Sequence, residues 1–181
     1  MFRGVNYLPI SDLGLSQIYL NEDKLKRIRQ WFDPKDMSRF QPLPVHDFGN
    51  GRMTLTDGHS RAFVAYKAGL RELPVIYDTD EIVTSPMGQI LYRNDVVWCE
   101  RFQLHSICDL EQRIISNEEY QVRWIGRCDK AYHLLTQTDE QQQAKWQALR
   151  KDLYLYGASK DLKTLFFEDI HGASFAFERD H

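Results

Sequence analysis

The stretch Asp57-Gly58-His59-Ser60-Arg61 restricts the fold of this chain more than any other part of its sequence. Before it, residues 53–56 alternate large apolar and hydroxyl side chains, a pattern that predicts a strand. After it, an alanine-containing run predicts a helix to about Ala68, with Gly69 at its C-terminal end. Because glycine permits a tight turn and a close approach of the backbone to a ligand, we expect a strand that passes directly into a helix at Gly58.

The residues around this turn predict a small sheet. Residues 42–48 form a predicted strand that begins beside two prolines, which favours a position near a sheet edge because proline cannot donate to the ladder. Gly49-Asn50-Gly51 is typical of a hairpin turn that leads into residues 53–56. Residues 73–77 predict a further strand.

The N-terminal segment predicts a strand, a loop and a helix. Residues 4–13 are mildly apolar and predict a strand that ends near Asp12, with a loop from Gly14 onwards. Asn21 is a predicted N-cap, since its side chain can accept from the free amides of a first helical turn. The apolar residues of this helix recur at helical spacing, and Asp33-Pro34 ends it.

The second half of the chain predicts more helix. Ser85-Pro86 is typical of a helix start, and that helix extends to about Trp98. Asn117 opens a stronger helical pattern, with Tyr132 on its predicted apolar face, and residues 138–153 predict another helix. The tail alternates again and predicts strands that end in a β-hairpin with its turn at residues 169–172.

The turn at residues 57–61 has the chemistry of an anion site. A helix N-terminus offers unpaired amides and the positive end of the helix dipole. Ser60 adds a hydroxyl donor, His59 an imidazole and Arg61 a guanidinium whose fork matches phosphate oxygens. Asp57 would hold Arg61 or His59 in place, or help to bind a metal on the phosphates. The alternative is that Asp57 only caps the helix and Arg61 is a solvated surface charge.

Together with their surroundings, these residues resemble the ParB/sulfiredoxin superfamily. The shared pattern is a strand with prolines at its start, a hairpin, the turn at residues 57–61, an alanine-rich helix, Gly69-Leu70 and Leu73-Pro74-Val75. The resemblance covers residues 4–80, under half of the chain. It implies an α+β, ParB/sulfiredoxin-like nucleotide-binding fold, with a helical C-terminal extension that ends in a β-hairpin.

This resemblance also implies a ligand and a domain division. In that superfamily the turn before the helix binds nucleotide phosphates, which assigns phosphate contacts to Gly58, His59, Ser60 and Arg61. The implied ligand is ATP or ADP, with magnesium as a companion. Composition shifts near residue 82. We therefore expect a ParB/sulfiredoxin-like domain over residues 1–82 and an extension over residues 83–181, packed as one unit.

Departures from the superfamily pattern separate its branches. Sulfiredoxins carry a reactive cysteine directly after the glycine, where this chain has His59. The free-serine kinases have an Asp-Gly-His turn much closer to this one, together with a glutamate base in the loop after the first strand. That position aligns with Gln17, whose amide cannot take a proton from a hydroxyl. Glu22 is a candidate substitute, although its place in a first helical turn also suits the helix dipole.

Composition limits the partners. The formal net charge of −3 lacks the basic excess of a general nucleic-acid binder, and no run approaches the roughly 20 apolar residues that span a bilayer. Cys99, Cys108 and Cys128 form no CxxC pair, which predicts reduced thiols in a cytoplasmic protein. The remaining histidines have no metal-ligand spacing with them. The acidic loop at residues 78–81 could bind magnesium or the amine of a substrate. The alternative is a solvated loop before a helix.

Three functions remain open from the sequence. The first is an ATP- or ADP-dependent phosphotransferase acting on a small hydroxyl-bearing molecule, with Glu22 and Asp57 as candidate catalytic residues and Gln17 at the family's base position. The second is a nucleotide-responsive regulatory or binding protein without turnover. The third, ranked lowest, is a DNA-associated partition or nuclease-like protein. The sequence leaves the base preference, the acceptor and the oligomeric state open.

Overall fold

The structure, a computed structural model, describes residues 4–136, 154–158, 164–168 and 174–178. The strands are β1 (Asn6–Pro9), β2 (Leu20–Asn21), β3 (Leu43–Asp47), β4 (Met53–Leu55), β5 (Glu72–Tyr77), β6 (Ile114–Ile115), β7 (Tyr154–Ala158), β8 (Thr164–Glu168) and β9 (Ser174–Glu178). The helices are α1 (Glu22–Trp31), α2 (His59–Lys67), α3 (Glu81–Thr84), α4 (Pro86–Arg101), α5 (Asn117–Tyr120) and α6 (Gly126–Thr136).

The main sheet is mixed and has the strand order β1-β5-β3-β4. Strand β3 runs parallel to β5, while β1–β5 and β3–β4 are antiparallel. The prediction that the proline-led strand lies near an edge is therefore wrong, because β3 is interior. The sheet tolerates Pro44 because it lies at the end of the β3–β4 ladder. Its carbonyl still accepts from the N–H of Thr56 at 3.0 Å, so only the reciprocal bond is lost.

Successive side chains of β3 point to opposite faces of the sheet, and helices cover both. Leu43 and Val45 are fully buried in the main core, which also contains Leu25 of α1 and Phe63 of α2. On the other side, Phe48 stacks on Tyr92 of α4 with ring centroids 5.1 Å apart. The turn before α2 therefore lies at the end of a sheet that is covered on both faces.

The predicted helix caps are confirmed. The side chain of Asn21 accepts from the amides of Asp23 and Lys24 at the start of α1. Ser85 caps α4 by accepting from the amide of Gly88 at 3.1 Å, with Pro86 in the first turn. These side chains satisfy amides that a helix leaves unpaired at its start.

Residues after 82 share the core with residues before it. Strand β2 pairs in parallel with β6, and Asn21 donates to the side-chain oxygen of Asn117 at 2.9 Å. The main core includes residues of the second half: Cys99, Leu104, Ile107, Leu110 and Trp124. The proposed division at residue 82 therefore runs through shared packing.

The predicted long helix from Asn117 is interrupted. It consists of α5, a π-helical turn over Gln121–Ile125 and α6. The interruption rotates later residues relative to a continuous helix, and Tyr132, expected on the apolar face, is 57% exposed. Trp124, in the π-helical turn, is buried.

The last three strands pair antiparallel in the order β7-β8-β9. The expected hairpin turn at residues 169–172 and the helix expected over residues 138–153 lie outside the described residues. This small sheet is attached to α4 through Asn94, whose side-chain oxygen accepts from the amide of Leu155 at 2.6 Å. Arg101 of the same helix pairs with Glu168 at 3.4 Å. Within the described part of the chain, no helix is long and apolar enough to cross a bilayer.

Gly88 allows α3 and α4 to approach closely, and its replacement tests this packing. A Cβ at this position would lie 2.0 Å from the carbonyl oxygen of Ile82. We expect Gly88→Ala to lower the free energy of unfolding by about 1–3 kcal/mol, as overpacking does, measured by chemical denaturation. Gly126→Ala is the matched control, because its Cβ would lie 3.4 Å from the nearest heavy atom, the carbonyl oxygen of Gln121. Equal stability of the two variants would contradict this account.

Candidate functional site

The turn from β4 into α2 depends on Gly58. This residue is the N-cap of α2 and has a φ of +84°, in the left-handed region that favours glycine. A Cβ there would also lie 2.6 Å from the side chain of Leu43 and 3.0 Å from the guanidinium of Arg61. Within the described residues, no side chain caps this helix, so its first amides lack the partner that Asn21 and Ser85 supply elsewhere.

His59 lies in the core, and its ring is neutral. It is 2% exposed, and its Nε2 accepts from the backbone N–H of Ser16 at 3.1 Å, so the proton of the neutral ring lies on Nδ1. Nδ1 is buried without a hydrogen-bond partner among the described residues. Burial lowers the pKa of His59 to about 4, while the charge of Asp57 raises it and that of Lys24 lowers it further.

The loop after the first strand reaches this turn. The backbone N–H of Ser16 bonds to His59, and its hydroxyl donates to the carbonyl of Leu55 at 2.7 Å. Gly14 pairs with the outer edge of β4, donating to Met53 at 2.9 Å and accepting from Leu55 at 3.0 Å. The loop is therefore anchored on β4 and on the first residue of α2.

Arg61 and Asp57 form the accessible side of the turn. Arg61 donates to the carbonyl of Gln41 at 3.1 Å, stands 5.9 Å from the ring centroid of Phe40, and lies 3.8 Å from the Asp57 carboxylate. The side chain of Asp57 is 69% exposed and that of Arg61 is 21% exposed. The alternative of an N-capping Asp57 and a solvated Arg61 does not match this geometry. The middle residues of the turn, Gly58, His59 and Ser60, are buried.

Gln17, at the family's base position, and Glu22, the candidate base, both have other partners. The side-chain amide of Gln17 donates to the carbonyl of Tyr19 at 2.6 Å and to the hydroxyl of Tyr120 at 3.1 Å. Glu22 is half exposed in the first turn of α1 and pairs with Lys26 at 3.1 Å. The structure thus directs Gln17 towards α5 and Glu22 towards its own helix.

Several residues near the turn carry no pattern that singles them out in the sequence. Thr56 precedes Asp57, donates its hydroxyl to the carboxylate of Asp78, and accepts at its carbonyl from the hydroxyl of Tyr92 at 3.3 Å. Tyr120 is the partner of Gln17. Burial, together with the charge of Asp57 among others, raises the pKa of Tyr92 and that of Tyr120 to about 12, so both hydroxyls stay protonated.

The acidic loop after β5 has local structural roles. Asp78 accepts from the amide of Asp80 at 3.0 Å, and α3 begins directly afterwards. The backbone carbonyl of Asp78 accepts from Nδ1 of His46 at 2.9 Å. Among the described residues, no group of three or more histidine, cysteine, aspartate or glutamate side chains could hold a metal ion. The side chain and carbonyl of Asp78 thus both support the turn that leads into α3.

Comparison with known proteins identifies a distant structural neighbour. No family model matches the chain, and no curated protein matches it. Among solved structures, it is similar to the C-terminally truncated chromosome-partitioning protein ParB from Caulobacter crescentus complexed with CTP-γ-S. The match covers 81% of this chain and 98% of that one, with 16% identity and a TM-score of 0.35.

The buried neutral ring of His59 predicts acid sensitivity. Its pKa of about 4 in the folded state lies below the ordinary 6.5, so the unfolded chain binds more protons between these values. Stability is therefore lost as the pH falls through that window. Between about pH 7.5 and about pH 4.5, we expect the wild type to lose roughly 2–3 kcal/mol more than His59→Gln, by denaturant titration.

The exposed His105 provides a matched control. His105→Gln should lose as much stability as the wild type over the same pH range. An NMR titration that found an ordinary pKa for the imidazole of His59 would contradict this assignment.

Proposed function

We propose that this chain binds a nucleotide through its phosphates at the turn formed by residues 57–61. The observation that carries this proposal is the uncapped N-terminus of α2. No described side chain caps this helix, and its N-cap residue, Gly58, has a left-handed backbone conformation. Uncapped helix amides and the dipole favour an anion. Since Asp57 and Arg61 are the accessible side chains of the turn, the phosphates would lie on their side of it.

Three side chains of the turn would then have distinct roles. Arg61 would donate to phosphate oxygens, and the amides of the first helical turn would complete the phosphate site. The exposed carboxylate of Asp57 could hold magnesium on those phosphates. His59 would act indirectly by fixing the loop through Ser16, in place of the direct contact that the superfamily resemblance implies. ATP or ADP as the ligand, and the ParB/sulfiredoxin-like topology, are parts of the same proposal.

We favour a nucleotide-responsive binding protein without turnover. A phosphotransferase needs a group that accepts the proton of the acceptor hydroxyl. The Gln17 amide has no basic site and is occupied by Tyr19 and Tyr120, and Glu22 is paired with Lys26. These contacts weigh against a proton-accepting role for either residue.

Phosphoryl transfer is the second candidate function, and Asp57 supports it. Its carboxylate is exposed beside the uncapped amides, and its one ion pair with a described residue is weak, to Arg61 at 3.8 Å. It could accept the proton of a small hydroxyl-bearing molecule. DNA association ranks third, since the net charge is −3, and a salt-dependent affinity for duplex DNA would favour it.

Nucleotide binding should raise the stability of the fold. At about 100 times its dissociation constant, a ligand that binds only the folded chain contributes roughly 2.7 kcal/mol. We expect ATP, ADP, GTP or CTP with magnesium to raise the melting temperature. Arg61→Ala should weaken binding by about 1.5–3 kcal/mol, the scale of a hydrogen bond to a charged group, measured by calorimetry.

Arg71 offers a matched control for Arg61. It follows the C-terminal end of α2, away from the turn, and is exposed. Arg71→Ala should therefore keep the wild-type affinity. No thermal shift with any of the four nucleotides at millimolar concentration would overturn the proposed function.

Turnover separates the two leading functions. We expect the wild type to transfer no phosphoryl group from ATP or ADP to a panel of hydroxyl-bearing metabolites that includes free serine, followed by mass spectrometry. Gln17→Glu would place a carboxylate at the family's base position, and a gain of activity there would indicate descent from a kinase. Wild-type transfer that survives Glu22→Gln and is lost in Asp57→Asn would establish the second candidate instead.

A further inference from the structure

One hydrogen bond is missing where β4 leads into the turn. In an antiparallel ladder, the two residues of a hydrogen-bonded pair exchange two bonds between their backbones. The N–H of Thr56 donates to the carbonyl of Pro44 at 3.0 Å, which identifies these residues as such a pair. Pro44 has no N–H, so the carbonyl of Thr56 receives nothing from β3 in return.

A side chain from the second half of the chain replaces this bond. The hydroxyl of Tyr92, in the middle of α4, donates to the carbonyl of Thr56 at 3.3 Å. The ring of Tyr92 stacks on Phe48 at an interplanar angle of 12°, which fixes the direction of the hydroxyl. Burial and nearby carboxylates keep this hydroxyl protonated, so it remains a donor.

Thr56 immediately precedes the turn, and three of its atoms are held. Its N–H bonds to Pro44, its hydroxyl to Asp78 and its carbonyl to Tyr92. That carbonyl belongs to the peptide unit that joins Thr56 to Asp57. Its orientation therefore determines the direction in which the chain enters Gly58 and the first amides of α2.

We infer that Tyr92 is a positioning residue for the phosphate turn: its hydroxyl supplies the bond that Pro44 cannot make, and so orients the peptide before Asp57. The inference rests on the proposed function for its role in binding. It also assigns the second half of the chain a part in the site, since α4 lies beyond residue 82. Tyr92 touches no reacting group and acts through Thr56.

The test restores the same bond from the opposite side. Tyr92→Phe removes the donor and keeps the ring on Phe48. Pro44→Ala adds a backbone N–H that faces the carbonyl of Thr56, so the double variant Pro44→Ala/Tyr92→Phe has a donor again. Two quantities are measured in each variant of the 181-residue chain: amide hydrogen exchange of residues 57–62, and affinity for ATP, ADP, GTP and CTP with magnesium.

We expect Tyr92→Phe to weaken the tightest nucleotide about fivefold and to speed exchange at the turn by a similar factor, the scale of one neutral hydrogen bond. The double variant should regain most of the nucleotide affinity and most of the protection from exchange at the turn. Pro44→Ala alone should resemble the wild type, because the carbonyl of Thr56 can accept two bonds. Tyr7→Phe removes a hydroxyl from a residue that is 64% exposed on β1 and should change neither quantity.

The outcomes distinguish this inference from the proposed function. Unchanged exchange in Tyr92→Phe would overturn the inference. A loss that Pro44→Ala fails to restore would also overturn it, since ring packing rather than the hydroxyl would then be responsible. If the wild type binds none of the four nucleotides while amide exchange of the turn follows the expected pattern, the proposed function fails. The role of Tyr92 in orienting the turn is then still supported.

Discussion

The hydrogen bond from the backbone of Ser16 to the ring of His59 joins the two parts of the chain on which the candidate site depends. It is buried, so both partners have given up water, and breaking it would leave an unsatisfied amide in the core. It requires a neutral imidazole, and the same burial that isolates the bond keeps the ring neutral. Through it, the loop that carries Gln17 and the helix that begins at His59 form one rigid junction.

The second half of the chain stabilises this junction from outside. Tyr92 contacts the residue before the turn, and Tyr120 accepts from Gln17 in the loop. On the far side of α4, Asn94 holds the first strand of the C-terminal sheet. One helix thus connects the small sheet at the end of the chain with the turn near its start. A change in the packing of the small sheet or of the turn would be transmitted to the other through α4, which is a rigid element and not a flexible linker.

Local sequence patterns predicted the helices and strands of this fold better than the contacts between them. Asn21 and Ser85 were predictable as caps because a side chain and the amides it caps lie within three residues of each other. The interior position of β3 was not predictable from local sequence. Pro44 fits there because it lies at the end of the β3–β4 ladder, and because the hydroxyl of Tyr92, 48 residues away in the sequence, supplies the missing donor. The core position of His59 was missed for a similar reason. A histidine in a glycine turn suggests a ligand, and its distant partner Ser16 has no distinctive sequence signal.

The pairing of Leu20–Asn21 with Ile114–Ile115 has a consequence for fragments of this protein. A chain cut near residue 82 would keep all five residues of the turn, together with the four strands of the main sheet. It would lose the partner strand of β2, the aromatic cover of Phe48 and the donor to Thr56. Such a fragment would expose apolar surface that the intact chain buries. The five-residue turn found in an unrelated sequence is therefore a weak indication of a working site unless the residues that surround it can also be located.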